Sequence, residues 1–277
     1  MGLRIATNVA ALNAHKNLSV TQRGLHSAME KLSSGFRINR AADDAAGLAI
    51  SENLRALIRG YRQANRNAND GISLVQVAEG SLNEVSNSLI RLRELGVQAA
   101  SDTIGDTERR FLDAEYQQLK SEIQRITDST SFNGYDLLNG TGGLIDLQVG
   151  VHNDPFKDRI SFNSAAANAT LEALGLTAET VASKVAAQES LTVVDDALTS
   201  VNAIRANFGA LQNRLVSTSQ NLLVADENFS AANSRIRDAD IAAETSEFTR
   251  NNILTQAGVS VLGQANNIQQ VALKLLG

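Results

Sequence analysis

The 277-residue chain has no cysteine and no tryptophan, a single proline (Pro155) and three histidines, His15, His26 and His152. Without cysteine there is no disulfide framework, no thiol nucleophile and no Cys-ligated zinc. Three scattered histidines outside any HExxH pattern give no basis for a His-rich metal centre, and no metal or other cofactor is expected. Positive charge is not in excess: 25 Lys plus Arg stand against 30 Asp plus Glu, for a net −5. That balance argues against nucleic-acid binding, which calls for a basic stripe. No apolar run approaches the roughly 18 residues of a membrane span, so no membrane insertion is expected. In the opening MGLRIATNVAALNAHK, Asn8 and Asn13 interrupt the apolar segment, and no cleaved signal peptide is expected.

Scarce proline and aromatics, the latter 4% of the chain, point in a positive direction. Proline breaks helix interiors because it lacks an N–H and clashes with the preceding turn. A chain this long with one proline can hold very long helices. A core poor in aromatics must be built from Leu, Ile, Val and Ala, as in helical coils.

From Leu54 the apolar spacing is regular. Leu54, Leu57, Tyr61, Ala64, Ala68, Gly71, Val75, Ala78, Leu82, Val85, Leu89, Leu92, Gly96 and Ala99 follow alternating steps of three and four, a sustained heptad seam. Its small members would admit a close neighbour. At 1.5 Å per residue such a helix is about 69 Å long. A compact globule of this chain length would be about 48 Å across, so the sequence predicts an elongated rod. Leu191, Val194, Leu198, Val201, Ile204, Phe208, Leu211 and Leu215, extended by Leu222 and Phe229, predict a second long helix. Thr107 to about Asp128 predicts a third, with Leu112, Leu119, Ile123 and Ile126 on one face. The fold class is therefore mainly α: a long antiparallel bundle or coiled coil.

The middle changes character. Residues 131–143, SFNGYDLLNGTGG, are dense in Asn and Gly, the punctuation of turns. Alternation over 144–151, the turn His152-Asn153-Asp154-Pro155 and renewed alternation from Asp158 predict a small β-hairpin at about 144–163. Residues 164–188, rich in Ala, Thr and Ser, carry the least pattern and are the natural place for variation.

Both termini are amphipathic. Ile5, Val9, Leu12, Leu18, Leu25, Met29 and Leu32 mark an N-terminal helix. Leu254, Ala257, Val261, Gln264, Ile268, Val271 and Leu275 form a C-terminal ladder, with Leu262, Ala265, Ala272 and Leu276 widening its apolar face. Gln264 is a polar rung, which tends to fix register rather than add stability. Wide apolar faces must be covered. Two helices alone bury little, so these surfaces imply contact with other chains.

Competing chemical readings are weak. Asp43 and Asp44 are sequence neighbours with no histidine or nucleophile beside them, which favours capping or salt-bridging over acid–base work. Asp238, Asp240 and Glu244 lack the 12-residue calcium loop with its central glycine. Gly140-Thr141-Gly142-Gly143 lacks the lysine of a phosphate loop, and His152 reads as a turn residue. Asn17, Asn139, Asn168 and Asn228 open Asn-x-Ser/Thr triplets, short enough to arise by chance. No set of residues fills the nucleophile, base and orienter roles, so an enzyme is not expected.

Several ordered blocks do resemble a known family. Leu32-Ser-Ser-Gly-Phe-Arg-Ile-Asn39 with Ala42-Asp-Asp-Ala-Ala-Gly47 is similar to the N-terminal signature of bacterial flagellin. Ser131-Phe-Asn-Gly134 with Leu137-Leu-Asn-Gly140, Gly209-Ala-Leu-Gln-Asn-Arg-Leu215, Ser234-Arg-Ile-Arg-Asp-Ala-Asp240, Gln256-Ala-Gly258 and Gln264-Ala-Asn266 complete the resemblance. It implies a structural subunit of the flagellar filament, exported through the flagellar type III pathway to the cell exterior. Its partners would be further copies of itself or other flagellins, an export chaperone, and cap and junction proteins. It implies an inner coiled-coil domain from 1–40 and 237–277 and a connecting spoke at 34–46. A rod-like outer domain over 41–236 would carry only a minimal variable segment at 164–188, without separate surface domains. The assembly seam would comprise Ile5, Val9, Leu12, Leu254, Val261, Gln264, Ile268, Val271 and Leu275. The resemblance also maps a vertebrate toll-like receptor epitope onto Arg91, Leu95 and Glu115, with Ile90 and Gly96 departing from the usual pattern. A proline usual near the C-terminus is replaced in the region of Ile268. Alternatives are a hook–filament junction protein, which would form a thin ring, and a coiled-coil signalling module, which leaves the β-rich middle unexplained.

Overall fold

A computed structural model describes the backbone of residues 7–274 and side chains through Ile268. The expected seam residues Ile5 and Leu275, the side chain of Val271, and Ala272 and Leu276 on the wider face lie outside the described residues. Five long helices carry the fold: α1 (Val9–Ser34), α2 (Ala45–Ala99), α3 (Asp106–Ser129), α4 (Lys184–Arg237) and α5 (Ile241–Lys274). Two antiparallel pairs lie between α3 and α4: β1 (Ser131–Phe132) with β2 (Tyr135–Asp136), and β3 (Leu144–Gln148) with β4 (Arg159–Asn163). The chain divides into two compact units, residues 58–227 and residues 1–57 with 228–277.

In the 58–227 unit the heptad reading of α2 holds from Ala64 to Ala99. Ala68, Val75, Ala78, Leu82, Val85, Leu89, Leu92 and Ala99 are fully buried. They pack with Ile123 of α3 and with Val194, Val201, Phe208 and Leu215 of α4 in one core. Removing each large side chain from water contributes about 1.5–3 kcal/mol. The small seam residues have a steric cause. A Cβ on Gly96 would sit 3.0 Å from Leu191 Cδ2 of α4, and one on Gly71 would sit 2.5 Å from Leu147 Cδ1 of β3. Helices α2 and α4 run antiparallel, Arg93 bonding Asp195 at 2.6 Å and Arg62 bonding Asp226 at 3.0 Å.

The hairpin forms where alternation predicts it, pairing Leu144 with Asn163 and Gln148 with Arg159. The Asn-Gly turn ahead of it folds into a second, two-residue hairpin. Asn133 (φ 50°) and Gly134 (φ 82°) take the left-handed conformation that a tight hairpin turn requires. Its end delivers Leu137 and Leu138 into the core.

The patternless stretch after the hairpin is also packed. Ala167, Ala169, Leu174, Leu176 and Val181 are buried in the same core. Side chains of α3 hold its backbone. Asp113 accepts from the Thr180 hydroxyl (2.7 Å) and the Val181 N–H (2.8 Å). Lys120 donates to the carbonyls of Thr177 (3.1 Å) and Glu179 (2.7 Å). Burial lowers the Lys120 pKa and pushes Tyr116 up to about 12. Buried Arg109 closes the end of α2, donating to the Ala99 and Ser101 carbonyls at 2.8 Å each. Those carbonyls have no partner within the helix.

In the other unit α1 pairs with α5 in antiparallel register. The Asn8 side chain donates to the Ala265 carbonyl (3.0 Å), and Lys31 pairs with Glu244 (2.9 Å). Between those ends, a Cβ on Gly258 would lie 3.2 Å from Leu18 Cδ1 and one on Gly24 3.0 Å from the Asn251 side chain. Each helix has its cap. Asn8 accepts from the Ala11 N–H, and Gly35 (φ 75°) ends α1 in the left-handed conformation. Asp240 accepts from the N–H groups of Ala242 and Ala243 at the start of α5. Asp43 and Asp44 are structural, as their position suggested. Asp44 accepts from the Gly47 N–H at the start of α2, and Asp43 accepts from those of Arg40 and Asn39. The two backbone bonds hold the Asp43 carboxyl below the usual range. The loops after α1 and before α5 are joined by an isolated antiparallel bridge, Phe36 to Asp238, with the Arg237 guanidinium 4.7 Å from the centre of the Phe36 ring.

Candidate assembly and recognition surfaces

The α1–α5 pair shows two different faces on each helix. The buried or half-buried residues at heptad spacing on α1 are Ala11, Ala14, Leu18, Thr21, Leu25, Ala28 and Leu32. On α5 they are Glu244, Phe248, Asn251, Thr255, Gly258, Leu262 and Ala265. Both sets keep heptad spacing, but four of the seven α5 residues are polar or glycine. The apolar ladder legible in the sequence lies off this seam. Val9, Leu12, Leu254, Val261 and Ile268 are 48–62% exposed, and Gln264 is exposed with them. These ladder residues lie off the α1–α5 seam and keep about half of their surface in water. Ile253 and Val259 add to the exposed apolar surface of α5.

Of the three residues mapped as a receptor epitope, two meet at the surface. The Arg91 guanidinium donates to Glu115 at 2.7 Å and to Glu94 at 2.9 Å, and these bonds raise its pKa. Leu95 is 1% exposed and belongs to the core. It sits on the buried face of α2 beside Leu92 and Ala99. The surface here is completed by residues the motif did not single out, exposed Ile90 and Val97 on α2 and Phe111 on α3.

Among the described residues no cluster of three or more His, Asp or Glu could hold a metal ion, and no helix is long and apolar enough to cross a membrane.

Known families agree with the motifs. The model for the bacterial flagellin N-terminal helical region matches residues 5–142, and that for the bacterial flagellin C-terminal helical region matches residues 191–276. The chain belongs to the bacterial flagellin family. It is 47% identical over 269 residues to a flagellin of Halalkalibacterium halodurans, covering 97% of this chain and 98% of that one. It is 41% identical over 286 residues to the flagellar filament core protein flaB2 of Brachyspira hyodysenteriae, covering 98% and 99%. The crystal structure of Bacillus cereus flagellin superposes with a TM-score of 0.51 at 33% identity, covering 57% of this chain and 88% of that one. With relatives of matching length, this flagellin is a short form. Nothing in these relatives favours a junction protein or a signalling module.

Proposed function

We propose that the chain is the repeating subunit of a bacterial flagellar filament, outside the cell, and that its α1 and α5 ladders are the contacts between subunits. The observation that carries this reading is the exposure of Val9, Leu12, Leu254, Val261 and Ile268 in a single chain. A continuous apolar stripe is costly in water at roughly 25 cal/mol per Å², and large exposed patches mark interaction sites. Head-to-tail contacts that do not close into a ring generate an open helical polymer. Relatives named as flagellins and filament core proteins support the same outcome.

Within this reading residues 1–40 and 237–277 form the inner, assembly-driving domain, and 41–236 the outer domain that gives the filament stiffness. The role is mechanical: subunits transmit motor torque to the surrounding fluid. Export runs through the flagellar type III pathway, and an export chaperone, cap and junction proteins are its partners. A vertebrate toll-like receptor would contact the exposed Arg91–Glu115 pair, with Leu95 holding that surface from beneath.

The test is seeded growth. Purified full chain and a version of about 45–235 are each added to short filament fragments and imaged by electron microscopy. Long tubes from the full chain alone support the assignment; tubes from the trimmed chain refute the role given to the termini.

A further inference from the structure

The most exposed large apolar side chain among the described residues is not on the terminal helices. It is Phe156, 90% exposed at the tip of the β3–β4 hairpin. The tip is a rigid mount. Asp154 and Asp158 bond reciprocally, the Asp154 N–H donating to Asp158 Oδ2 (3.0 Å) and the Asp158 N–H to the Asp154 carbonyl (2.9 Å). The Phe156 N–H donates to Asp154 Oδ1 (2.9 Å), and the N–H groups of Val149 and Gly150 both donate to the Asp158 carbonyl. Pro155, the chain's one proline, fixes its own φ beside it. A Cβ on Gly150 would fall 2.7 Å from the Asp158 backbone, so only glycine fits there. A stiff turn that holds an aromatic ring in water has the character of a pre-organised binding anchor, since little ordering entropy remains to be lost on docking.

The same unit carries a matching hollow. Between β4, the 3-10 turn Ser164–Ala167 and α4 lies a largely apolar cavity of about 240 Å³, lined by Phe162, Ala166, Ala167, Ile204, Phe208 and Leu211. The rings of Phe162 and Phe208 are 4.9 Å apart and tilted by 42°, and they form its wall. Its rim residue Ser161 is paired across the hairpin with Asp146, an exposed carboxylate. Next to Phe156 stands Lys157, 83% exposed and paired with Asp154 of the same turn at 3.4 Å. Knob and hollow are thus complementary in shape class: an aromatic ring held in water, and an apolar hole walled by two aromatic rings.

We propose that Phe156 of one subunit seats in the Phe162–Phe208 hollow of a second copy of this chain. This rests on the filament reading and adds to it a contact in the 58–227 unit, independent of the terminal ladders. A knob and a hole on different parts of one surface make a heterologous contact, the kind that propagates instead of closing on itself.

The absence of cysteine makes the test clean. Full-length chains carrying F156C alone, N207C alone (a residue lining the hollow) or T141C alone as an exposed control outside the lining of the hollow are copolymerised in pairs and oxidised. The expected result is an intermolecular F156C–N207C dimer in filaments, absent from unpolymerised mixtures, with F156C–T141C giving none. In parallel, F156S filaments should grow more slowly or dissociate at a lower temperature while the monomer's helix content is unchanged. Filaments that form normally without the F156C–N207C crosslink, or with equal crosslinking to T141C, overturn this contact and leave the filament reading standing. Failure of the unmodified chain to form filaments would instead overturn the filament reading on which the contact rests.

Discussion

The two units use one heptad rhythm to opposite ends. In the 58–227 unit the rhythm is written in Leu, Val and Ala, and Leu82, Val85, Leu89 and Leu92 lose all contact with water. In the α1–α5 unit the inner faces carry Thr21, Glu244, Asn251, Thr255 and Gly258, while the apolar ladder of α5 points away. The first unit closes its core within one chain. The second is held together by caps, a Lys31–Glu244 pair and small-residue packing, and it leaves apolar residues of both helices in water. Heptad spacing alone does not tell these cases apart; what decides is which stripe offers the closer approach.

Substitutions sharpen the contrast. The largest effect on folding is expected from Leu89→Ala, which leaves a cavity in the closed core and should lower the unfolding free energy by about 2–5 kcal/mol, read by chemical denaturation of the monomer. Leu254→Ala on the open stripe should stay within about 0.5 kcal/mol in the same measurement and should show its loss only in filament growth. If both substitutions destabilise the monomer equally, the distinction between the units fails.

Next in size are the polar fastenings. Arg109→Met removes the two bonds that close α2 and leaves the Ala99 carbonyl buried, which should cost about 1–3 kcal/mol. Asp44→Ala removes the cap of α2 in the other unit and should cost about 1 kcal/mol. Thermal unfolding followed by circular dichroism checks both.

The smallest effect is expected from pH. Burial pushes the Asp113 carboxyl up, but the Thr180 hydroxyl, the Val181 N–H, Gln117 and the nearby Lys120 charge outweigh it and hold the carboxyl below the usual carboxylate range. A carboxyl depressed in the folded state contributes stability that is present above its unfolded pKa and lost as pH falls through the folded one. The 58–227 unit should therefore lose stability as pH drops below about 4. Asp113→Asn should flatten that dependence, and denaturation midpoints collected across the acid range test it. An unchanged acid slope would mean that the carboxylate does not hold the 177–181 segment as described.

How much of this was legible depends on the physics that set each element. The α2 seam was readable because large apolar side chains at 3/4 steps leave one solution, and α3 begins and ends within a residue of where its pattern does. Helix α2 starts at Ala45, ahead of the Leu54 seam, because Asp44 caps a short-side-chain run that carries helix propensity but no heptad signal. The packing of 164–183 was illegible. Its buried residues have no period, and their places are set by Asp113, Gln117 and Lys120 reaching over from α3. The intrachain face of α5 was hidden for a related reason: a seam of Asn, Thr and Gly does not register on an apolar template, so the more conspicuous ladder beside it stood out. That ladder still marked the outward surface. Arg91 and Glu115 were brought together as a pair, whereas the burial of Leu95 required the neighbouring helices to be in place. The exposed ring of Phe156 had no sequence signal beyond standing next to the chain's only proline.

The most direct measurement compares filament growth with monomer folding in one variant. Full chain carrying Leu254→Gln, Val261→Gln and Ile268→Gln is added to filament seeds beside the unmodified chain, and both are followed by electron microscopy and by thermal unfolding of the monomer. If the stripe is an intersubunit contact, the variant unfolds as the unmodified chain does and does not elongate the seeds. Normal elongation by a variant whose stripe has been made polar would contradict the role assigned to it.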